Sequence, residues 1–127
     1  METYTVKVNT NGGKFWYQDD ELHRTDGPAI EYANGNKHWY QNGKRHRTDG
    51  PAVECVNGGK LWYQDDKLHR TDGPAIEFAS GDESWFIKGK EYTKKEFDAI
   101  VNVPKVKELT MSEISKLLGY EVKVVEG

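Results

Sequence analysis

The stretch HRTDGPA occurs three times without a change, at residues 23–29, 46–52 and 69–75. Its histidines, His23, His46 and His69, are therefore separated by a constant 23 residues. The four tryptophans keep the same spacing: Trp16, Trp39, Trp62 and Trp85. A fixed period of this size indicates a stacked array, in which each unit buries its apolar side chains against its neighbours.

Each unit contains short runs of strand-forming residues around two tight turns. In the middle unit, PAIEYA and KHWYQ flank Asn34-Gly35, and KHWYQ and KRHRT flank Asn42-Gly43. Asn-Gly between such runs is a strong hairpin signal, because both residues tolerate a positive φ. The second turn is Asp19-Asp20 or Asp65-Asp66 in the other units, where we expect a looser loop. The sequence predicts a mainly β fold, an antiparallel β-hairpin repeat array over residues 1–92, with about 3.5 units of 23 residues.

The two ends of the chain depart from the repeat. At the start, YTVKV is predicted as the first strand, with Val8 opposite Trp16 across a loop of Asn11-Gly12-Gly13. Thr93 with Glu96, and Thr110 with Glu113, fit the capping box that opens a helix. The first helix should reach about Ile100, and YEVKVV at residues 120–125 should form a strand. Residues 93–127 are thus expected to form a small C-terminal α/β cap of the same domain, or alternatively a docking element.

Two-residue turns would place Ile30 opposite Trp39, and Trp39 opposite His46. Because side chains alternate along a strand, one face would then be apolar and buried. The predicted structural core comprises Trp16, Trp39, Trp62, Trp85, His23, His46 and His69. The other face is the predicted partner-binding surface, made of Tyr17, Arg24, Tyr40, Arg47, Tyr63 and Arg70. His38 stands where other units carry Phe15, Leu61 and Ser84, and we expect it to be exposed.

The motif histidines are interpreted as structural, each bonding a backbone group through a ring nitrogen. Neighbouring units lie ~10 Å apart, so these histidines cannot share a metal ion. Tyr92 replaces the histidine in the fourth unit, which a packing role tolerates. The motif arginines need acidic partners, either the motif aspartates or Glu31, Glu54 and Glu77. We expect no catalytic residue, no metal and no cofactor.

Composition narrows the class of protein further. The net charge is −3 and the pI about 5.8, which argues against nucleic acid or anionic lipid as a partner. No segment reaches the ~20 apolar residues of a membrane span, and the start lacks a signal-peptide profile. The single cysteine, Cys55, excludes an internal disulfide. We expect a cytoplasmic protein.

The segments NGKRH, DGPAVE and NGGK resemble a MORN-type repeat over residues 11–92. Arg-Thr-Asp-Gly-Pro replaces the usual glycines after the histidine position, so the chain resembles a divergent class with HRxDGPA units. That class occurs in viral, phage and bacterial proteins. The resemblance implies an elongated single-sheet array that acts as an interaction or scaffold module, located in the host cytoplasm if viral.

Two classes of function follow. The first is a non-enzymatic protein of phage or virus type that binds and inhibits or modulates a host protein, such as a defence factor, through its repeat face. Tyr and Arg dominate the energetics of protein interfaces, which favours this class. The alternative is a binder of a small anionic ligand, or a hydrolase that uses the His/Arg/Asp clusters. A homo-oligomer is left open.

Overall fold

The structure is a computed structural model that describes residues 3–102, and it is mainly β, as predicted. The second predicted capping box at Thr110 and the predicted strand at residues 120–125 lie outside these residues. The described part contains fourteen strands and one helix: β1 Thr5–Val8, β2 Lys14–Gln18, β3 Glu21–Leu22, β4 Ile30–Glu31, β5 Lys37–His38, β6 Tyr40–Gln41, β7 Lys44–Arg45, β8 Val53–Glu54, β9 Lys60–Leu61, β10 Tyr63–Gln64, β11 Lys67–Leu68, β12 Ile76–Glu77, β13 Glu83–Ile87, β14 Lys90–Tyr92 and α1 Lys94–Val101.

Every strand pairing in this part of the chain is antiparallel. One sheet of ten strands follows the order β1-β2-β4-β5-β8-β9-β12-β13-β14, with β3 paired to β2. The hairpins β6-β7 and β10-β11 form two small sheets beside it. Trp39 lies between β5 and β6, so one run of chain contributes to both ladders. Backbone bonds also join neighbouring units, since Arg24 donates to the Tyr40 carbonyl at 3.1 Å and Gly43 to the Leu22 carbonyl at 2.9 Å.

The first turn contains three residues, which was predicted for the first unit but not for the later units, where two residues were expected. Ile30 lies opposite His38, not opposite Trp39. The Tyr32 N–H donates to the Asn36 carbonyl at 2.9 Å, which leaves Ala33, Asn34 and Gly35 in the loop. Gly35 has φ +97°, the left-handed conformation that closes a three-residue hairpin loop. The predicted register of this hairpin is therefore wrong by one residue.

The same loop occurs in all four units of the described chain, because Gly12, Gly58 and Gly81 have φ values of +95°, +99° and +95°. In the first unit the Asn9 N–H donates to the Gly13 carbonyl at 2.9 Å. Strand β1 exists as predicted, but Val8 pairs with Lys14 and Val6 with Trp16. The predicted pairing of Val8 with Trp16 is wrong, and β1 has the register of the later units.

The second turn has two residues in every unit, and the looser loop expected for Asp-Asp is wrong. Asp65 and Asp66 have φ values of +50° and +66°, close to the +51° and +78° of Asn42 and Gly43. The Asp66 carboxylate accepts the Arg45 N–H at 2.8 Å, and the Asp66 N–H donates to the Arg45 carbonyl at 2.9 Å. Asp tolerates the left-handed conformation better than most residues, and these two bonds to the neighbouring unit support the turn.

The corrected register changes which side chains share a face, because a shift of one residue moves a whole strand to the other side. One side, here called the tyrosine face, carries Phe15, Tyr17, Ile30, Tyr32, His38, Tyr40, Arg45, Val53, Cys55, Leu61, Tyr63, Ile76 and Phe78. The other side, the tryptophan face, carries the tryptophans, the motif histidines and arginines, and a row in which Lys and Glu alternate: Lys14, Glu31, Lys37, Glu54, Lys60 and Glu77. The prediction that Ile30, Trp39 and His46 share one face is wrong.

The buried core is thinner than predicted. Among residues 3–102 the buried apolar side chains are Ala29, Ile30, Ala52, Val53, Ala75 and Phe97. Of the predicted core residues, only His23 belongs to the buried class, and the other two motif histidines and the four tryptophans are half-buried. The motif alanines are 0% exposed. Each motif alanine carbonyl accepts a tryptophan N–H at 2.7 Å, as in the pair Trp39 and Ala52.

Helix α1 begins as predicted. The Thr93 hydroxyl accepts the Glu96 N–H at 3.1 Å, and the Glu96 carboxylate accepts the Thr93 N–H at 2.9 Å. This capping bond lowers the pKa of Glu96. The buried Phe97 lines a hollow with Trp85 and the loop 71–74. Thr93 holds the position that an arginine holds eight residues after the other tryptophans, so α1 packs where a fourth motif loop would lie.

Within residues 3–102, no helix combines the length and apolar character that crossing a membrane requires.

We expect Ala52→Leu to destabilise the protein by about 1–3 kcal/mol, because overpacking a filled site forces neighbouring side chains out of position. Chemical denaturation with urea would measure the free energy of unfolding. Ala33→Leu is the matched control, since Ala33 is exposed in the first turn of the same unit. Equal stability of the two variants would show that the Ala52 site has spare room.

Candidate functional site

Each motif arginine places its guanidinium group over a tryptophan ring and binds the loop that follows it. The guanidinium carbon of Arg47 is 3.9 Å from the Trp39 ring centroid. Its Nε donates to Asp49 at 2.9 Å, and its Nη1 to the Pro51 carbonyl at 3.0 Å and to Glu54 at 3.3 Å. The predicted pairing of the motif arginine with its aspartate or glutamate is confirmed, and in this unit both bind.

The arrangement repeats in the flanking units. Arg24 lies 4.1 Å from the Trp16 ring centroid and donates to Asp26 at 2.9 Å. The Arg70 guanidinium carbon lies 3.9 Å from the Trp62 ring centroid. Arg70 donates to Asp72 at 2.7 Å through Nε and to Glu77 at 3.5 Å through Nη1. The Arg47 hydrogen bond lowers the pKa of Asp49. The charges of all three arginines are therefore compensated within the repeat.

These contacts separate the predicted partner-binding residues into two groups. Arg24, Arg47 and Arg70 belong to the tryptophan face, where they are half-buried under their own loops. Tyr17, Tyr40 and Tyr63 belong to the tyrosine face and are also half-buried. The prediction that tyrosines and arginines form one shared surface is wrong, because β7 ends at Arg45 and the Arg47 side chain lies over the Trp39 ring instead of continuing the alternation of the strand. Changing Arg47 would disturb the fold as well as any surface.

The motif histidines connect one unit to the next. The Nδ1 atom of His46 accepts the Asp65 N–H at 3.1 Å, in the second turn of the following unit. The same bond joins His23 to Asn42 at 3.0 Å and His69 to Lys88 at 3.0 Å. The predicted bond from a ring nitrogen to a backbone group is confirmed. An Nδ1 atom that accepts an N–H carries no proton, so the neutral ring has its proton on Nε2.

We expect His46→Phe to lower the free energy of unfolding by about 1 kcal/mol, since it removes one hydrogen bond whose donor is partly reachable by water. Hydrogen exchange followed by NMR would show faster exchange at the Asp65 amide. His23→Phe is the internal control, because it should affect the Asn42 amide and leave Asp65 protected. Unchanged exchange at both amides would exclude the connecting role.

A polar cleft of about 540 Å³ lies between the first two motif loops. Trp39 and Gln41 form part of its wall, together with the loops that carry Arg24 and Arg47. Both arginines keep their aspartate partners there, at 2.9 Å each. The cleft consequently offers ion-paired arginines rather than free positive charge. Nowhere in residues 3–102 do three His, Cys, Asp or Glu side chains converge as they would around a metal ion.

The tyrosine face carries an aromatic cluster in the middle unit. The Tyr32 ring meets the His38 ring edge-on, with centroids 5.3 Å apart. His38 in turn lies nearly parallel to Tyr40, with centroids 6.5 Å apart and planes 11° apart. Phe15 from the first unit contacts Tyr32 edge-on at 6.0 Å. His38 is half-buried within this cluster, and the prediction that it is exposed is wrong.

Arg45 lies beside this cluster, opposite Tyr40 in the hairpin β6-β7. Its Nε donates to the Tyr40 hydroxyl at 3.3 Å, and its guanidinium carbon is 5.1 Å from the Tyr63 ring centroid. The hydrogen bond with Tyr40 raises the pKa of Arg45. Burial lowers the pKa of His38, and the nearby Arg45 cation lowers it further. The His38 Nδ1 atom is buried and has no hydrogen-bond partner.

Sequence reasoning missed Arg45 as a site residue, although the repeats contain a signal for it. The positions of His38 and Arg45 are apolar in the two similar flanking units, where Phe15 with Leu22 and Leu61 with Leu68 occupy them. The fourth unit carries Ser84 and Glu91 at these positions, so the middle unit is the one that combines a histidine with an arginine, and the structure places these two side chains near each other.

Comparison with known proteins adds no relative: a scan against protein-family models and a search of curated proteins each found no match. The resemblance to a MORN-type repeat therefore stays a prediction.

His38 should make stability depend on pH. Its pKa is lower in the folded chain, so the unfolded chain binds a proton first as the pH falls from about 7.5 to about 5.5. Stability should decrease over that range. His38→Phe, which copies the first unit, should remove part of this decrease and stabilise the protein by about 1 kcal/mol at neutral pH. Urea denaturation at several pH values measures both effects, and identical pH profiles for the variant and the parent would contradict this account.

Proposed function

We propose that the chain is a non-enzymatic binding protein that contacts a protein partner through its tyrosine face. The observation that supports this most is the exposure of large apolar side chains along that face. Tyr32 is 39% exposed and Phe78 is 47% exposed, at equivalent positions two units apart. Half-buried tyrosines lie next to them: Tyr17, Tyr40 and Tyr63. Exposed aromatic patches of this kind are typical of protein interaction sites.

The tryptophan face is a weaker candidate for the binding surface than the tyrosine face. Its Lys and Glu side chains alternate across the strands, as with Lys37 between Glu31 and Glu54. Opposite charges in directly facing positions stabilise a sheet and compensate each other. The motif loops with their ion-paired arginines lie on the same side, so this face has the features of a structural surface.

The alternative is a small anionic ligand, or a hydrolytic reaction, at the cleft between the first two motif loops. The ion pairs of Arg24 and Arg47 count against anion binding there, because a ligand would have to displace Asp26 and Asp49. The motif histidines bind backbone groups of the next unit through Nδ1, which favours a structural role over general base catalysis. The identity of the partner as a host protein inhibited by a viral protein stays a prediction from the sequence resemblance.

The proposal can be tested by capturing partners from a lysate of the source or host cells on the immobilised full chain. We expect Tyr32→Ser combined with Phe78→Ser to weaken capture by about tenfold or more, because exposed aromatic side chains contribute most at interfaces. Both side chains are exposed, so we expect the variant to fold, and urea denaturation checks this because Tyr32 also contacts Phe15 and His38.

The matched control is Lys37→Ser combined with Lys60→Ser, which changes two exposed residues of the tryptophan face. This control should capture the same protein as the parent. If the lysine variant loses capture and the aromatic variant keeps it, the partner binds the tryptophan face and the proposal is wrong.

A further inference from the structure

The middle unit breaks the apolar pattern of the tyrosine face at two neighbouring positions. His38 replaces the Phe15 and Leu61 of the flanking units, and Arg45 replaces their Leu22 and Leu68. The fourth unit carries Ser84 and Glu91 at these positions, so the middle unit is the one that places a cation there. The surrounding face remains aromatic, with Tyr40 opposite Arg45 in the hairpin and Tyr63 under its guanidinium group. A cationic group has thus been introduced into the centre of an apolar and aromatic surface.

The fold does not need this replacement. The His38 Nδ1 atom is buried without a hydrogen bond, and a buried polar atom that has no partner destabilises a fold. Phe and Leu occupy the same place in the flanking units and carry no polar atom that must be satisfied. Residues that break a local rule without a structural gain are most often found at functional sites.

Arg45 also differs from the other three arginines of the chain in its charge environment. Arg24, Arg47 and Arg70 each bind a carboxylate within the repeat. Within residues 3–102 no carboxylate lies at ion-pair distance from the Arg45 guanidinium. The Tyr40 hydroxyl and the Tyr63 ring instead hold it in one orientation. A guanidinium group that a hydroxyl and a ring hold in place, and that has no ion-pair partner in the described residues, is suited to binding a carboxylate through two parallel hydrogen bonds.

We propose that Arg45, held between Tyr40 and Tyr63, binds a carboxylate side chain from an acidic, apolar-flanked peptide segment of the partner protein. This inference rests on the proposed function and names the chemistry of that partner. The exposed Tyr32 and the tyrosines of the face would contact the apolar residues beside the carboxylate.

The charge of the face favours a peptide over a nucleic acid. Its cations in the first two units are Arg45 and Lys7, whose ammonium group lies 4.7 Å from the Tyr17 ring centroid. Binding to a phosphate backbone generally involves several cations arranged along a groove. The whole chain has a net charge of −3, which would oppose a polyanion. One fixed arginine among tyrosines matches a single carboxylate in an apolar setting.

The probe is an acetylated and amidated octapeptide with one Asp flanked by Leu residues and with Ser at the remaining positions, added to the ¹⁵N-labelled full chain. NMR would follow the Arg45 Nε–H and the backbone amides of Tyr40 and Tyr63. We expect saturable shifts of these signals. The same peptide with Asn in place of Asp should bind about tenfold more weakly, because it keeps the shape and loses the charge.

Arg45→Leu, which copies Leu22 and Leu68, should weaken binding of the Asp peptide by about tenfold. Lys44→Leu is the matched control, since it removes a positive charge from the residue that precedes Arg45. The Lys44 side chain belongs to the tryptophan face. That variant should bind like the parent. Equal binding by Arg45→Leu and the parent would overturn the inference, and so would equal shifts of the Arg45 signal by inorganic phosphate or by a short oligothymidine strand.

The capture assay separates this inference from the proposed function. If Arg45→Leu captures the cellular partner as well as the parent, while the Tyr32 and Phe78 variant does not, the tyrosine face binds protein and the carboxylate inference is wrong. If neither variant loses capture, both are wrong. Loss of capture in both variants, with normal capture by Lys44→Leu, supports both.

Discussion

The array depends on one interaction, the stacking of a motif arginine on the tryptophan eight residues before it. Arg47 places its guanidinium carbon 3.9 Å from the Trp39 ring centroid and uses its N–H groups to bind Asp49 and the Pro51 carbonyl. One side chain therefore fixes the path of the whole loop. The loop in turn brings the Ala52 carbonyl to the Trp39 N–H at 2.7 Å. The alanine becomes fully buried, and a larger residue would have no space there.

This geometry explains why HRTDGPA is repeated without change. The arginine, aspartate, proline and alanine act within one unit, whereas the histidine binds the turn of the next unit. Stability of such an array is a sum of contributions within units and between neighbours. At the fourth unit, Tyr92 and Thr93 replace the histidine and arginine, and neither type of bond continues. Helix α1 begins at that point and packs near Trp85, so the chain changes structure where the motif ends.

The sequence was sufficient to predict a structural feature wherever that feature depended on residues close together in the chain. The period, the two-residue turn at Asn42-Gly43, the capping box at Thr93 and the acidic partners of the motif arginines were all predicted correctly. The first turn was not, because Asn34-Gly35 fits a two-residue loop as well as a three-residue loop ending in a left-handed glycine. That single residue reversed the face of every tryptophan.

A signal for the correct register was nonetheless present. In the observed pairing, Lys37 lies opposite Glu31 and Glu54, and the pattern continues with Lys60 opposite Glu54 and Glu77. The two-residue loop would have placed Glu31 opposite His38 and lost this match. Cross-strand charge pairs differ in energy by only a fraction of a kcal/mol, but here the same pair recurs through the first three units, up to the fourth unit, where Glu83 lies opposite Glu77. In a repeat protein, a weak preference that recurs in each unit can decide the register.

The units of the repeat differ in which of their positions stay constant. Identical units present identical chemistry, so a feature that is needed once must appear as a departure from the repeat. On the tryptophan face the three motif units keep the same arginine, aspartate and histidine contacts, which is what a structural role requires. On the tyrosine face the middle unit departs at His38 and Arg45, and it does so at a cost, since a buried ring nitrogen is left without a partner. The repeats thus provide a sheet of nearly constant chemistry, and in the binding role proposed above the carboxylate contact would lie where the middle unit differs from the two units that flank it.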